Sequence, residues 1–271
     1  MTDMPGFRYL FSVQNPLFKQ IKSLQSRKGR QENGLFMAEG LRLVREICPP
    51  WELKTLILTE TFMARHEDWR VCCQRYPEAE IVVVEEDWMR QASDTQHPQG
   101  VMALVRLRET ALEELLQQES PFLVILEDLQ DPGNAGTILR TADAAGADGI
   151  LCSEGTADFF SPKVVRASMG SIFHLPVVRT GQFREALLML QRRGVMLAAA
   201  HLQASLSYDQ ADYRQGCGIL IGNEGNGLRE ETANLAQVRI SIPQPGRAES
   251  LNASVAAGIL MYEVVRQRRA Q

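Results

Sequence analysis

Short apolar runs alternate with helix-forming stretches along most of this chain, and that alternation constrains its fold more than any other feature. Residues 53–59 (LKTLILT), 81–85 (IVVVE), 101–106, 122–126 (FLVIL), 149–152, 176–178, 195–200, 218–221 and 238–242 are short, rich in branched side chains and bounded by polar or turn residues, so they read as strands. Between them, 61–75, 85–93, 136–145, 183–193, a short stretch from Leu228 and a long terminal stretch, 251–268, read as helices. Strands that alternate with helices predict a parallel sheet covered on both faces. The ligands of such sheets sit beyond the carboxyl ends of the strands.

At 271 residues the chain has room for about two domains. Residues 106–120 carry Glu109, Glu113, Glu114, Gln117, Gln118 and Glu119 and end at Ser120-Pro121, which reads as a partly helical linker. It separates a smaller α/β domain, 1–105, from a second domain, 121–271. With 45% hydrophobic and 23% charged residues, a disordered or collagen-like chain is excluded. No run of 18 apolar residues could span a membrane, and Met1 to Val13 lacks the apolar stretch of a signal peptide.

Cys48, Cys72, Cys73, Cys152 and Cys217 form no C-x-x-C, and His66, His97, His174 and His201 stand apart, so no metal site is expected. Free thiols suit a reducing, cytoplasmic compartment. No G-x-S-x-G elbow marks a serine hydrolase.

Three segments at strand ends carry the chemistry. In residues 127–140 (EDLQDPGNAGTILR), Asp131-Pro132-Gly133 signals a turn and Asn134 sits where a helix cap would. Arg140 shares a helix face with Gly136, which suits a phosphate or a negatively charged reacting group; a capped helix with a surface Arg reads equally well. Residues 222–228 (GNEGNGL) hold three glycines after an apolar strand, so the backbone turns tightly or approaches something closely. No G-K-[ST] follows, and Glu224 disfavours a pyrophosphate, so a neutral or cationic ligand read by backbone amides and carbonyls suits the loop better than a nucleotide phosphate. A plain strand-to-helix turn is the alternative. In residues 240–263, Pro243, Pro245 and Gly246 stop a strand, and Ser250, Asn252 and Ser254 gather where a helix begins. Ser250 or Asn252 suits a cap, and the small residues after them suit close helix packing.

Together these segments resemble the SpoU (TrmH-like) family of RNA ribose 2′-O-methyltransferases, of the SPOUT class. The family pattern N-x-G-x-x-x-R is matched by Asn134, Gly136 and Arg140, and G-x-E-G-x-G-[LM] by Gly222, Glu224, Gly225, Gly227 and Leu228. The pattern I-P-x-x-G followed by S-L-N-x-S-x-A is matched by Ile242, Pro243, Gly246, Ser250, Leu251, Asn252, Ser254 and Ala256. The ordered triple covers roughly residues 120–268. Residues 15–45, with Arg27, Lys28 and Arg30 in an R-K-G-R run and F-x-x-E-G-x-[RK]-L from Phe36 to Leu43, resemble the ribosomal-protein-like substrate-binding domain attached to many members.

The resemblance implies an S-adenosylmethionine-dependent enzyme with a C-terminal trefoil knot and a mostly parallel sheet. It implies a homodimer whose active site borrows residues from both subunits, and an RNA substrate, rRNA ahead of tRNA. It maps the catalytic Arg onto Arg140, assisted by Asn134, Glu224, Ser250 and Asn252. Cofactor contacts map onto Leu220, Ile221, Gly222, Asn223, Gly227, Ile242, Pro243, Leu251 and Ser254, and RNA contacts onto Arg27, Lys28 and Arg30. A catalytically silent RNA-binding protein of the same fold is the competing reading, against which the intact motif residues argue.

A ribose hydroxyl is a poor nucleophile until its proton leaves. None of the three motifs contains His, Lys or Cys, and an Arg side chain stays protonated. Either Arg140 loses a proton transiently, or it stabilises the developing alkoxide while Ser250 or a substrate phosphate takes the proton.

The net charge of −4, from 29 basic and 33 acidic residues, argues against a protein that coats nucleic acid. Its distribution is uneven. Residues 1–30 hold Arg8, Lys19, Lys22, Arg27, Lys28 and Arg30 against Asp3 alone, and the chain end adds Arg266, Arg268 and Arg269. These clusters read either as solvated helix faces or as a local RNA footprint.

Overall fold

A computed structural model describes residues 7–202, 204 and 206–270. Met1–Gly6, and with them half of the stretch read for a signal peptide, lie outside the described residues. The chain divides into two compact units. The first takes the residues up to Arg108 together with Phe160–Phe173, and the second takes Glu109–Phe159 and His174–Gln271.

The first unit begins with β1 (Phe7–Leu10), α1 (Pro16–Ser23) and α2 (Arg27–Asn33), then β2 (Leu35–Glu39), α3 (Leu41–Glu46) and β3 (Leu53–Thr59). It continues with α4 (Glu60–Arg65), α5 (Asp68–Arg75), β4 (Glu80–Val84), α6 (Glu86–Ala92) and β5 (Val101–Arg106). Its sheet has the order β1-β4-β3-β5-β2, parallel across β1, β4 and β3 and antiparallel across β5 and β2. Ile57, Val82, Met102 and Leu104 join Ile21, Leu24 and Trp88 in one core cluster.

Two sequence readings change here. The helix expected over 61–75 is two helices, because His66 turns extended (φ −135°, ψ 131°). The R-K-G-R run is only partly a surface. Arg30 is 3% exposed, and its guanidinium donates to the Leu24 and Gln25 carbonyls at 2.7 and 3.1 Å, at the C-terminus of α1. A Cβ on Gly29 would lie 2.0 Å from the Ser23 carbonyl oxygen, so the two helices touch through backbone there. Arg30 therefore serves the fold and is no exposed RNA contact, whereas Arg27 and Lys28 face outward.

The second unit opens on a 3₁₀ turn, Leu112–Leu116, whose Leu115 is fully buried in that unit's core. The expected linker is therefore partly core. Then come β6 (Phe122–Leu126), α7 (Pro132–Ala144) and β7 (Gly149–Ser153). The next helix, α8 (Pro162–Ser168), packs on β2 of the first unit. Beside it, Phe160 and Phe173 ring-pack on Phe36, and the Trp51 Nε1–H donates to the Phe173 carbonyl at 3.0 Å. Assigning 121–271 to one domain thus needs amending: apolar side chains, which one strand-and-helix pattern cannot allot between two cores, draw Phe160–Phe173 into the first unit.

The second unit continues with β8 (Val177–Thr180), α9 (Phe183–Arg192), β9 (Met196–Ala200), β10 (Leu206–Ser207), β11 (Cys217–Ile221), α10 (Glu230–Ala233), β12 (Val238–Ser241) and α11 (Ala253–Arg269). The sheet order is β10-β12-β9-β11-β6-β7-β8, and every pairing is parallel. Central strands β6, β7 and β11 are buried along their whole length, as helices on both faces require. The chain places β9 away from β6 and later inserts β11 between them, so the ends of β9, β11 and β12 open at a reversal of strand order, where crevices form.

The basic chain end is largely committed. Arg266 forks onto the buried Glu263 at 2.7 and 2.8 Å, and Arg268 donates to the carbonyls of Tyr213, Ser120 and Gln215. Among the described residues no helix is long and apolar enough to cross a membrane, and all five cysteines are free.

Candidate active site

Beyond β9, β11 and β12 lies a cavity of about 410 Å³. Its walls come from the ends of those strands, from the loop 222–228 and from the approach to α11.

The glycine loop is a closed ring. Asn223 and Gly227 exchange backbone hydrogen bonds of 3.0 and 2.9 Å. The Asn223 side-chain oxygen accepts from the amides of Gly225 and Asn226, and its Nδ2 donates to the Asp128 carbonyl. A Cβ on Gly222 would sit 2.1 Å from the Gly227 carbonyl carbon, and Gly227 itself has φ +69°, so both positions need glycine. The amides of Gly225, Asn226 and Gly227 are thus spent inside the loop, which corrects the expectation that they read a ligand.

Asp131, not Asn134, caps α7: its carboxylate accepts from the Asn134 amide at 2.8 Å, and Pro132 fills the first helical position. Asn134 stands inside the first turn, 9% exposed, and its side chain is free for another task. Its Nδ2 donates to Glu224 Oε1 at 3.1 Å, and its Oδ1 accepts from Asn252 Nδ2 at 3.0 Å. The Asn252 oxygen caps α11, accepting from the Ser254 and Val255 amides and the Ser254 hydroxyl. One polar relay, from Glu224 through Asn134 to Asn252, therefore ties the three motif segments together.

The Glu224 carboxylate also accepts from the backbone amides of Asp131 (2.9 Å) and Gln130 (3.1 Å). Desolvation is the largest single influence and raises its pKa. The hydrogen bonds from Asn134, Gln130 and Asp131 together outweigh it and hold the group below the ordinary carboxylate value. Glu224 is therefore a fixed anion on the cavity wall.

Of the nine positions mapped to the cofactor, Ile221, Gly222, Asn223, Gly227, Ile242 and Leu251 line the cavity. Leu220 does not; it is fully buried within β11. Pro243 is exposed off the wall, and the Ser254 amide and hydroxyl are both taken by Asn252. Of the positions mapped to catalysis, Glu224 and Ser250 line the cavity, and Asn134 and Asn252 brace it from behind. Arg140 stands exposed on α7, off the wall and without a partner among the described residues.

Sequence reasoning missed His201 and Leu202, which line the cavity beyond β9, where no motif marks the strand end. It missed Gln244, at the first open position of I-P-x-x-G, which lines the cavity. It also missed Glu127, 2% exposed at the end of β6. The Glu127 carboxylate accepts from the Arg229 amide at 2.8 Å and from the Thr232 hydroxyl, anchoring the far side of the glycine loop. A carboxylate directly after a fully apolar strand was the signal for it.

The chain matches the SpoU rRNA methylase family over residues 121–262 and the MRM3-like substrate binding domain over residues 15–103. It is 31% identical to the 23S rRNA (guanosine(2553)-2′-O)-methyltransferase RlmP of Bacillus subtilis, across 93% of this chain and 97% of that protein. It is 37% identical to the 23S rRNA (guanosine-2′-O-)-methyltransferase RlmB of Shewanella oneidensis, across 66% of this chain and 74% of that one. The crystal structure of an AdoMet-bound rRNA methyltransferase from Sinorhizobium meliloti superimposes with a TM-score of 0.86 at 37% identity, covering 96% of this chain and 98% of that one. Motifs, fold and relatives agree: the chain belongs to the SpoU rRNA methylase family.

Proposed function

We propose that this protein methylates a ribose 2′-hydroxyl in ribosomal RNA, with S-adenosylmethionine as donor and a homodimer as the working form. One observation carries the reading: the cavity at the ends of β9, β11 and β12, whose walls are braced by the relay from Glu224 through Asn134 to Asn252. The residues fit that donor. Apolar Ile221, Leu228, Ile240, Ile242 and Leu260 suit a purine and a thioether chain. Glu224 supplies a negative charge for a cationic ligand. When bound, the donor supplies a methyl group on a sulfonium.

The protein's own residues do the rest. Asn134 keeps Glu224 ionised by donating to it and keeps Asn252 on the α11 cap by accepting from it. Arg140, exposed on α7, offers a planar fork to an RNA phosphate and to the alkoxide that develops as the hydroxyl loses its proton. Ser250, at the cavity mouth, or a substrate phosphate accepts that proton.

The homodimer is supported by α11, which leaves Val255 (51% exposed) and Tyr262 (52% exposed) on one face around the small Gly258. The helix α11 itself packs on α7, the helix of Arg140, and on β11. The knotted path implied by the resemblance belongs to this proposal. A reducing, cytoplasmic setting accords with five free cysteines. Ribosomal rather than transfer RNA is favoured because rRNA-modifying relatives match nearly the whole chain, whereas a structure concerned with C/U34 of tRNA matches 57% of it. The test is to map 2′-O-methyl positions in total RNA from cells with and without the gene. One rRNA position is expected to lose its methyl group; a loss confined to tRNA, or none, overturns the reading.

A further inference from the structure

Glu127 follows the fully apolar strand β6 and is 2% exposed. An acidic side chain at that depth is costly unless hydrogen bonds hold it, and an apolar residue could fill the space at less cost. What Glu127 holds is the two ends of the glycine loop. Its backbone amide donates to the Ile221 carbonyl at 2.9 Å, immediately before residues 222–228. Its carboxylate accepts from the Arg229 amide at 2.8 Å, immediately after them, and from the hydroxyl of the buried Thr232. The next residue adds two more ties: the Asp128 carbonyl accepts from Asn223 Nδ2, and the Asp128 carboxylate pairs with the Arg229 guanidinium.

The loop has an inner shape of its own, because the Asn223–Gly227 pair and the Asn223 side chain close it on itself. The ties from Glu127 set where that closed ring stands at the end of β11, and every residue from Gly222 to Leu228 lines the cavity. A ring free to shift must be ordered by its ligand, and that ordering subtracts from affinity. We propose that Glu127, acting through the Arg229 amide and the Thr232 hydroxyl, is a positioning residue that presets the glycine loop for the cofactor. The inference rests on the cofactor reading above and gives a task to two residues outside the three matched patterns.

The test titrates S-adenosylhomocysteine calorimetrically into the full-length wild type, Glu127→Met, Glu127→Gln, Thr232→Val and the double variant that combines Glu127→Met with Thr232→Val. Glu127→Met keeps the side-chain length and removes both acceptors. Its dissociation constant is expected to rise about ten-fold or more, with the wild-type number of sites. Glu127→Gln keeps an oxygen for the Arg229 amide and offers its NH₂ to the Thr232 hydroxyl, so it is expected to recover most of that loss. In Thr232→Val the constant is expected to rise about 2–10-fold, and in the double variant no further than in Glu127→Met, since both residues act through one carboxylate. Thermal unfolding of the ligand-free proteins checks that each is folded. A merely structural role would lower the number of sites or the melting temperature and leave the dissociation constant of the folded molecules alone. That outcome overturns the inference and leaves the cofactor reading intact, and so does a Glu127→Gln variant as weak as Glu127→Met. If Glu127→Met does not fold, Thr232→Val decides: an unchanged constant overturns the inference. Failure of the wild type to bind S-adenosylhomocysteine at all overturns the cofactor reading, and this inference with it.

Discussion

Each unit has a cavity beyond the carboxyl ends of parallel strands, and the two differ in how strand leads to helix. In the first unit the cavity is about 190 Å³ and is lined by Tyr9, Phe11, Thr61, Val83 and Val84 with the carboxylates of Glu60, Glu85 and Glu86. There β3 runs directly into α4, and one residue separates β4 from α6. In the second unit eight residues separate β11 from α10, and eleven separate β12 from α11. Position at the carboxyl edge is therefore common to both sheets. What suits the second cavity to the proposed cofactor is the long connection, with glycines that let the chain double back and amides that hold one carboxylate.

The strongest challenge to that contrast targets Arg140, the proposed stabiliser of the developing charge. Arg140→Ala is expected to lower kcat by roughly 10²–10³-fold, the scale of losing a group that stabilises developing charge, while S-adenosylhomocysteine affinity stays near wild type because Arg140 is off the cavity wall. Arg140→Lys is expected to fall between, since it keeps the charge and loses the fork. Near-full activity in the Lys variant removes both proposed roles.

Gly222→Ala comes next. Its Cβ would overlap the Gly227 backbone, and relieving such overpacking costs about 1–3 kcal/mol, or roughly 5–150-fold in cofactor affinity by calorimetry. In the first unit, Glu85→Gln with Glu86→Gln is expected to leave that affinity unchanged; a shift there would erase the distinction between the cavities.

Arg30→Ala is expected to destabilise the protein by about 1–3 kcal/mol in denaturant unfolding, because two carbonyls at the end of α1 lose their donor. Lys28→Ala is expected to leave stability alone and instead reduce RNA affinity and its salt dependence. Equal behaviour of the two variants would contradict the division between a buried and an exposed half of the R-K-G-R run.

The smallest effect is the pH dependence of the relay. Glu224 has a folded-state pKa below its ordinary value of 4.5, so its stabilising contribution is complete above that pH and is lost as pH falls through the lower folded value. S-adenosylhomocysteine binding is therefore expected to be flat between pH 8 and 5 as far as Glu224 is concerned, and to weaken only in acid. In Glu224→Gln the acid limb disappears, together with part of the affinity at neutral pH. An acid limb that survives in this variant belongs to another group.

Elements with strong periodicity were legible in the sequence. The strands over 53–59 and 122–126 agree with β3 and β6, and most other boundaries lie within a few residues. Less visible were β1, β2 and α8, whose short apolar segments gain meaning only from a neighbour, as Phe160 and Phe173 do from Phe36 and Trp51. Asn134 was singled out for the wrong local reason. It stands two residues after Pro132, and a cap was its natural reading until Asp131 proved to hold that position. Arg30 and Arg268 read as charge in a sequence, yet the carbonyls that surround them exist only once helices end against each other.

By itself, then, the sequence determined the β/α order, the three polar segments at strand ends and the glycines on which the loop 222–228 depends. Such features follow from local rules: side-chain periodicity, turn chemistry and the space a Cβ requires. Tertiary structure alone decided which strand ends meet, because β11 enters between β9 and β6 long after both are made. That meeting brings Glu224, Asn134 and Asn252, up to 118 residues apart, within hydrogen-bond reach. A hydrogen bond depends on distance and direction, and between residues so far apart in the chain only the packed sheet supplies them.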